Sequence, residues 1–394
     1  MTARRVDLLI TELNVGGAER CLTQLALHRV AEGDQMRVAT LGPLPQPPHD
    51  QFVIQLKDAN IPVASMGATR LWNTPVAYQR LKCWLENADS DSGIRGTADV
   101  LQSFLHHANV LGMWAASSLK IPRRFTGVRV SQNRFFRSMI ERSAARRSTG
   151  LVCVSNSVAK FAEDHLATTG TPIHVIPNGV DVQHIQNAGT IDWSSISDQI
   201  EPEAIKVLWV GRFDPQKGTE RLIEIAKYFD KIQRSESKAT NPRESARRVQ
   251  IIVIGDGPQR SMLSSVAGQL SGNAMVVLPW QSDIATCYAA ADALLLTSHY
   301  EGMPNVVMEA MAAGLPIVAT NADGVVQLLG EDEEGRRQWF DQSGDCLRES
   351  TLRIERLAQS SELRQNLGQR NQAIMQSDFS YEAMSNAYAD LWFG

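Results

Sequence analysis

Cysteine is scarce in this chain of 394 residues: five, at Cys21, Cys83, Cys153, Cys287 and Cys346, with no C-x-x-C pair among them. Such an odd, scattered set is expected to stay reduced, which places the protein in the cytoplasm and excludes a disulfide scaffold. Long apolar runs are missing as well, since no stretch approaches the roughly 18–20 residues that a membrane span needs. Asp7 and Glu12 interrupt the short apolar segment after Arg4-Arg5, so a secretory signal is rejected. Neither charge dominates. Lys and Arg number 39 against 43 Asp and Glu, a formal charge of −4, which excludes a generally basic nucleic-acid binder and an acidic disordered chain. The eight histidines show no H-x-x-x-H and no His/Cys grouping, so no bound metal is expected.

What is present begins with length, which is room for two domains with a core each. Residues 1–190 hold 20 basic and 15 acidic side chains, a surplus of +5, while the remainder carries −9. The first half is therefore expected to meet something anionic. Short apolar runs at Val6–Ile10, Val100–Leu105, Leu151–Val154, Val207–Val210, Gln250–Ile254, Met275–Leu278, Ala293–Leu296 and Pro316–Ala319 read as buried strands. Most precede a Gly- or Pro-containing turn and then an amphipathic stretch, the pattern of a parallel sheet covered on both faces. The class is α/β. The halves also echo one another: Gly16-Gly17 and then Ala18-Glu19-Arg20 follow the first strand, and Gly218 and then Thr219-Glu220-Arg221 follow Val207–Val210. The polar stretch Gln186–Glu203 is expected to link the domains, Arg234–Arg248 to form an exposed loop, and Tyr381–Phe393 to form a terminal helix.

Ligands bind doubly wound sheets at the carboxyl ends of their strands, so the loops just after strands carry the information. The segment from Ser298 to Gly314 is the richest. Pro304 suits the first turn of a helix, whose open N–H groups near Asn305 and Val306 would hold a phosphate. Glu309 lies on the face of Asn305, roughly 6 Å further along the axis, placed for a ribose diol. Val306, Val307, Ala310 and Met311 mark the helix as buried, so this carboxylate needs a partner. A second loop, Gly211 to Gly218, sets Arg212 and Lys217 five residues apart, a fork and a point charge suited to a diphosphate. It lacks the P-loop spacing. Gly255-Asp256-Gly257-Pro258 starts like a dinucleotide fingerprint but has Arg260 where glycine is required, so it reads as a structural turn and no nicotinamide cofactor is expected. Gly16 and Gly17 allow close backbone approach to a ligand, with a plain tight turn as the near-equal alternative.

Taken together, these motifs resemble glycosyltransferase family 4 along nearly the whole chain and in the family's order: Gly16-Gly17-Ala18-Glu19, Ile176-Pro177-Asn178-Gly179-Val180-Asp181, Gly211-Arg212…Lys217-Gly218, Gly255-Asp256-Gly257-Pro258, and Glu301-x7-Glu309 with Gly302, Pro304 and Asn305. The resemblance implies a GT-B fold, two Rossmann-like doubly wound domains facing a central cleft. It divides the chain into an acceptor-side domain over 1–185, a nucleotide-sugar domain over 186–378, and a terminal helix over 379–394 packed back on the first. It implies a retaining, metal-independent hexosyltransferase that uses a nucleotide sugar, UDP-linked, as co-substrate and needs no cofactor. Arg212 and Lys217 would then bind the donor diphosphate, Glu309 the ribose and Glu301 the transferred sugar. Gly16, Gly17 and the backbone of Gly302, Met303, Pro304, Asn305 and Val306 would meet phosphate and sugar. Trp280 and Ile284 would flank the base. The acceptor would be a sugar or a lipid-linked or polysaccharide precursor.

The chain departs from the family's pattern after the strand Val100–Leu105, where relatives often carry a histidine at the places of Gln102 or Phe104. His107, ahead of Ala108-Asn109, matches a variant of that pattern and is the preferred acceptor- or sugar-side residue, with His106 second. Ala322-Asp323-Gly324 replaces a common glycine pair. Asp89-Ser90-Asp91 imitates a metal-binding D-x-D but stands in a polar stretch away from any strand end. Lys120–Arg147 holds nine basic residues against Glu141 alone, interleaved with Phe125, Phe135, Phe136, Met139 and Ile140. That is the composition of a segment in peripheral contact with an anionic membrane at the inner face, or of an ordinary helix with solvated arginines. Two rival functions stay open: a nucleotide-sugar epimerase of the same fold, and a nucleotide-sugar-binding protein that has lost its chemistry.

Overall fold

The computed structural model describes residues 4–14, 16–69, 74–86, 96–131, 135–167, 170–236, 248–281 and 283–394. It divides into two compact units, Met1–Gly179 with Tyr381–Gly394, and Val180–Ser380.

The first unit is built on seven parallel strands: β1 (Arg5–Ile10), β2 (Gln35–Thr40), β3 (Val63–Ser65), β4 (Val100–Phe104), β5 (Arg123–Val128), β6 (Gly150–Cys153) and β7 (Ile173–Val175). Their order across the sheet is β3-β2-β1-β4-β5-β6-β7. The second unit carries β8 (Ile205–Val210), β9 (Val249–Ile254), β10 (Met275–Leu278), β11 (Ala293–Leu296), β12 (Ile317–Thr320) and β13 (Trp339–Phe340), in the order β10-β9-β8-β11-β12-β13. Both are doubly wound sheets with a reversal of strand order, between β1 and β4 in one and between β8 and β11 in the other. A crevice opens at such a switch point, outside the strands' carboxyl ends.

Side-chain alternation explains why β1 sits in the middle of its sheet. Val6, Leu8 and Ile10 point to one face, where they meet Leu22, Leu25, Tyr388 and Trp392. Leu9 points to the other, with Leu101, Met113 and Leu81. The terminal helix, Tyr381–Phe393, thus belongs to the first unit's core: Trp392 and Tyr388 are buried in it.

Three sequence expectations are corrected. Gln186–Glu203 lies inside the second unit, where Trp193 is buried and its indole donates to the Ala290 carbonyl at 2.9 Å; the passage between units falls at Gly179–Val180. Arg234 lies in the Thr219–Glu236 helix, so that polar stretch begins in a helix, and its residues 237–247 fall outside the described ones. Lys120–Arg147 is not one amphipathic segment. Arg123–Val128 is the sheet strand β5, and the helix spans only Phe135–Ala145. Arg123 bonds the Trp392 carbonyl and Arg124 the carbonyls of Ile121 and Arg147, so those two cations are structural. Arg134 and Asp89-Ser90-Asp91 lie outside the described residues.

Candidate active site

In the second unit the loops that follow β8, β9, β11 and β12 are stacked on one another through glycines. A Cβ on Gly255 (φ +152°) would sit 2.0 Å from the Gly211 carbonyl oxygen, and one on Gly257 (φ +152°) 2.7 Å from both backbone N and O of Phe213. The Gly-Asp-Gly turn is therefore the support of the Arg212 loop. Gly218 (φ +65°) presses on the Thr297 carbonyl, and Gly324 (φ +78°) on that of Gly302. Gly324 is the residue of Ala322-Asp323-Gly324 whose backbone demands glycine; the other two need no such freedom.

On this stack sit the charges that the sequence singled out. Lys217 ends a short 3₁₀ turn begun by the Asp214 cap. Its Nζ lies 2.6 Å from Glu301 Oε1, both side chains being largely buried. Ser298 Oγ donates to the same oxygen at 2.7 Å. The two residues assigned to opposite parts of a donor thus hold each other. Arg212 differs: its side chain is 72% exposed, with Asp214 at 3.6 Å. Glu309 is buried in the Asn305–Ala312 helix. The partner its burial required is Tyr288, whose hydroxyl donates to Oε2 at 3.0 Å from the neighbouring Ile284–Ala289 helix. Pro304 caps the Glu309 helix from outside and is not its first residue, which is Asn305. Gly302, Met303 and Pro304 are buried ahead of it, and Asn305 and Val306 are half-buried. Trp280 is exposed after β10, and Ile284 opens the next helix, with Ser282 between them outside the described residues.

In the first unit the switch point lies between the ends of β1 and β4. Gly16 caps the Gly17–Ala31 helix. A Cβ there would lie 2.3 Å from Glu19 Oε2, so Gly16 leaves room for that carboxylate. Burial pushes Glu19 up to about 7, with its own backbone N–H and the Arg129 guanidinium working against the shift and Glu12 with it. Phe104 is core: it is fully buried and its ring centre lies 4.7 Å under the Arg129 guanidinium. Gln102 is buried too, accepting from the Trp392 indole. His106 and His107 open the His106–Ser118 helix. Their rings stand nearly perpendicular at 5.0 Å. Burial, His106 and Arg137 lower the His107 pKa, against Glu141 and Glu12. His106 is the anchored one, its Nδ1 2.6 Å from Glu141 Oε1.

Sequence reasoning missed Tyr288, Ser298 and Glu141, which tertiary packing brings to Glu309, Glu301 and His106 from other elements or from the preceding turn. Only Glu141 left a trace, as the lone acid of a basic stretch. All five cysteines are free. Among the described residues no group of three or more His, Cys, Asp or Glu side chains is placed to hold a metal ion.

Two Rossmann-like units of this kind, with cationic and acidic loops at a switch point, are the parts of the GT-B class, and solved structures bear out the fold. Anabaena HepE in complex with UDP and glucose superposes with a TM-score of 0.75 at 18% identity, over 98% of this chain and 99% of that one. A glycosyltransferase from Rickettsia africae gives 0.78 at 15% identity, over 100% and 98%. Two family profiles match in succession, Glycosyltransferase Family 4 over residues 15–184 and Glycosyl transferases group 1 over 194–373. The chain belongs to glycosyltransferase family 4. Among curated relatives, it is 27% identical over 201 residues to the Escherichia coli UDP-Gal:alpha-D-GlcNAc-diphosphoundecaprenol alpha-1,3-galactosyltransferase, matching 50% of this chain and 49% of that protein. It is 26% identical over 332 residues to a phosphatidyl-myo-inositol mannosyltransferase of Mycobacterium leprae, 81% and 79% of the two chains. The chain spans about half the length of the first of these relatives.

Proposed function

We propose that this protein moves a hexosyl group from a UDP-sugar to a hydroxyl acceptor, with retention at the anomeric carbon and without a metal. The observation that carries the reading is the Lys217–Glu301 pair, set with Ser298 at the switch point of the second sheet. The relatives' names, which are those of transferases, support it, as does the UDP bound in the HepE structure. Lys217 and Arg212 take the diphosphate, Glu301 the sugar hydroxyls and Glu309 the ribose. The backbone of Gly302 to Val306, with Gly16 and Gly17, meets phosphate and sugar, Trp280 and Ile284 flank the base, and His107 serves the sugar or the acceptor.

In the reaction, the acceptor oxygen bonds the anomeric carbon as the bond from that carbon to the phosphate oxygen breaks. The electron pair leaves with the diphosphate, which takes the acceptor's proton. Charge developing on the leaving group is met by two cations, of which Lys217 is held in place by Glu301 before the step. The acceptor is a sugar or a lipid-linked or polysaccharide precursor, and its lipid part brings the protein to an anionic membrane surface. The contact proposed is peripheral; no helix among the described residues is long and apolar enough to cross a membrane.

Thermal-shift measurements with UDP, UDP-glucose, UDP-galactose, UDP-N-acetylglucosamine and GDP-mannose, followed by assay of released sugar, test the reading. Stabilisation by a UDP-sugar with slow release of that sugar is expected. An epimerase would release the epimer, a lapsed binder no sugar, and no stabilisation by any of the five would sink the proposal.

A further inference from the structure

A cavity of about 170 Å³ in the second unit is used by none of the roles above. It lies by the starts of β12 and β13, at the edge of the sheet opposite the donor loops. We propose that it is a binding site for a small monocarboxylate with an apolar body, a ligand distinct from the nucleotide sugar. The site lies within one unit, and the inference does not depend on the transfer reaction.

Two helices and the foot of the sheet build this cavity. Along the helix Cys346–Gln359, Arg353, Arg356 and Leu357 fall at i, i+3 and i+4 and so share a face. The next helix, Ser361–Asp378, adds Leu363 and Leu367, four residues apart. Ile317 opens β12, and Arg337 stands just before β13. Among the described residues the lining is therefore four aliphatic side chains and three guanidiniums, with no acid. Ile317, Leu357 and Leu367 are buried and Leu363 is packed on the same core, a floor that offers an occupant no hydrogen bond.

The three cations are incompletely used. Arg353 is clamped by the Glu349 carboxylate and by the carbonyls of Glu349, Arg336 and Trp339, yet its Nε is buried with no acceptor. Arg337 pairs with Glu333, four residues back. Arg356 is exposed and has no partner among the described residues. Two carboxylates against three guanidiniums leave one positive charge, which calls for a monoanion. A planar guanidinium matches a carboxylate in shape, and a buried N–H without an acceptor is costly; a carboxylate in the cavity is the acceptor that Arg353 lacks. Size sets the rest. A cavity of roughly 150 Å³ holds benzene, so the body is an aromatic ring or a branched chain of that bulk. A nucleotide sugar is too large and too highly charged.

A solvated crevice beside a helix end is the competing explanation, and it fits less well. A cation in the last turn of a helix complements the dipole, which accounts for Arg356 taken alone. It leaves unexplained why two further guanidiniums line the same cavity and why one of them keeps an unpaired, buried Nε. Water needs two to four polar partners, and the aliphatic floor supplies none.

Benzoate and 3-methylbutanoate are the probes, titrated into the full chain and followed by saturation-transfer NMR. Benzamide serves as the uncharged isostere and acetate as the charge without the body. Saturable binding of at least one of the two acids is expected, with a dissociation constant of about 1 mM or tighter, and at least about tenfold weaker binding of benzamide and acetate. Arg356→Gln should weaken binding about tenfold, the loss of one charge-assisted contact, and Arg356→Lys should recover part of it. Leu363→Phe, which fills the cavity, should weaken binding at least as much. Arg348→Gln removes an exposed cation that lies on the same helix but not on the cavity, and it should keep the wild-type affinity. UDP should not displace the acid. No saturable binding of either acid, equal binding of benzamide, an equal loss in Arg348→Gln, unchanged affinity in Arg356→Gln or Leu363→Phe, or displacement by UDP overturns the proposal. The thermal shift with UDP bears on the transferase reading alone.

Discussion

Arg212 and Lys217 stand five residues apart in one loop, yet their surroundings make them experimentally separable. The Arg212 side chain is 72% exposed. Arg212→Ala is therefore expected to leave stability within about 0.5 kcal/mol while removing about 2–4 kcal/mol of transition-state stabilisation from turnover. Lys217→Ala should lose as much turnover and also destabilise the fold, by about 1–3 kcal/mol, because it strands the buried Glu301 charge. Urea titrations beside kinetics distinguish the two, and full turnover in the double variant would overturn the assignment. Glu19 offers a stability test of another kind. Its carboxyl, raised by burial from 4.5 to about 7, keeps a proton in the folded state that the unfolded chain has lost. Its contribution is thus present below pH 4.5 and fades as pH rises to about 7. Glu19→Gln should flatten that decline and stabilise the protein at pH 8, by on the order of 1–3 kcal/mol. Parallel pH slopes for variant and wild type in urea unfolding at pH 5 and 8 would show that the carboxyl is not held up.

At the scale of elements, the donor loops depend on residues that touch no ligand in the proposed scheme. Gly257→Ala places a methyl 2.7 Å from the Phe213 backbone, at a φ of +152°. It should displace the Arg212 loop, cost about 1–3 kcal/mol of stability and weaken UDP binding, while the charged side chains remain; calorimetry with UDP reads the effect, and wild-type affinity would mean the loop is held by other contacts. The same elements explain what was legible in the sequence. Met275–Leu278 and Ala293–Leu296 are strands at the residues expected, because parallel strands buried on both faces read as unbroken apolar runs. β2 and β5 escaped notice because they carry arginines. Arg37 in β2 lies in register with Asp7 in β1 and pairs with it at 2.7 Å, a neutralisation that no local window contains. Glu309 was legible as a carboxylate in an apolar helix. Its partner Tyr288 was not, since the bond joins two helices 21 residues apart in the chain.

At the scale of the whole molecule, one strand order serves two units whose charges oppose, +4 in residues 1–179 with 381–394 and −8 in residues 180–380. If two cations supply the leaving-group charge, turnover should survive excess EDTA, and a loss reversed by Mg²⁺ would assign that work to a metal. The positive half raises a further question, what it meets. Arg123 and Arg124 are engaged in the fold, but Arg142, Arg146 and Arg147 are exposed at the end of the Phe135–Ala145 helix. On the same helix Met139 and Ile140 are 57% and 45% exposed, and Trp114 on the adjacent helix 38%. Apolar side chains among exposed arginines form the composition of a surface that enters an anionic headgroup layer, each basic residue being worth about 1 kcal/mol there. The protein is therefore expected to sediment with phosphatidylglycerol-containing liposomes at low salt and to be released at high salt, where screening shortens the reach of each charge. Arg142→Gln with Arg146→Gln should weaken binding by about 2 kcal/mol, roughly 30-fold. Met139→Glu should weaken it further without changing the response to UDP, since Met139 belongs to the first unit and Arg212, Lys217 and Glu309 to the second. Protein left in the supernatant at low salt, or binding indifferent to these substitutions, would remove the membrane from the scheme and leave a soluble acceptor.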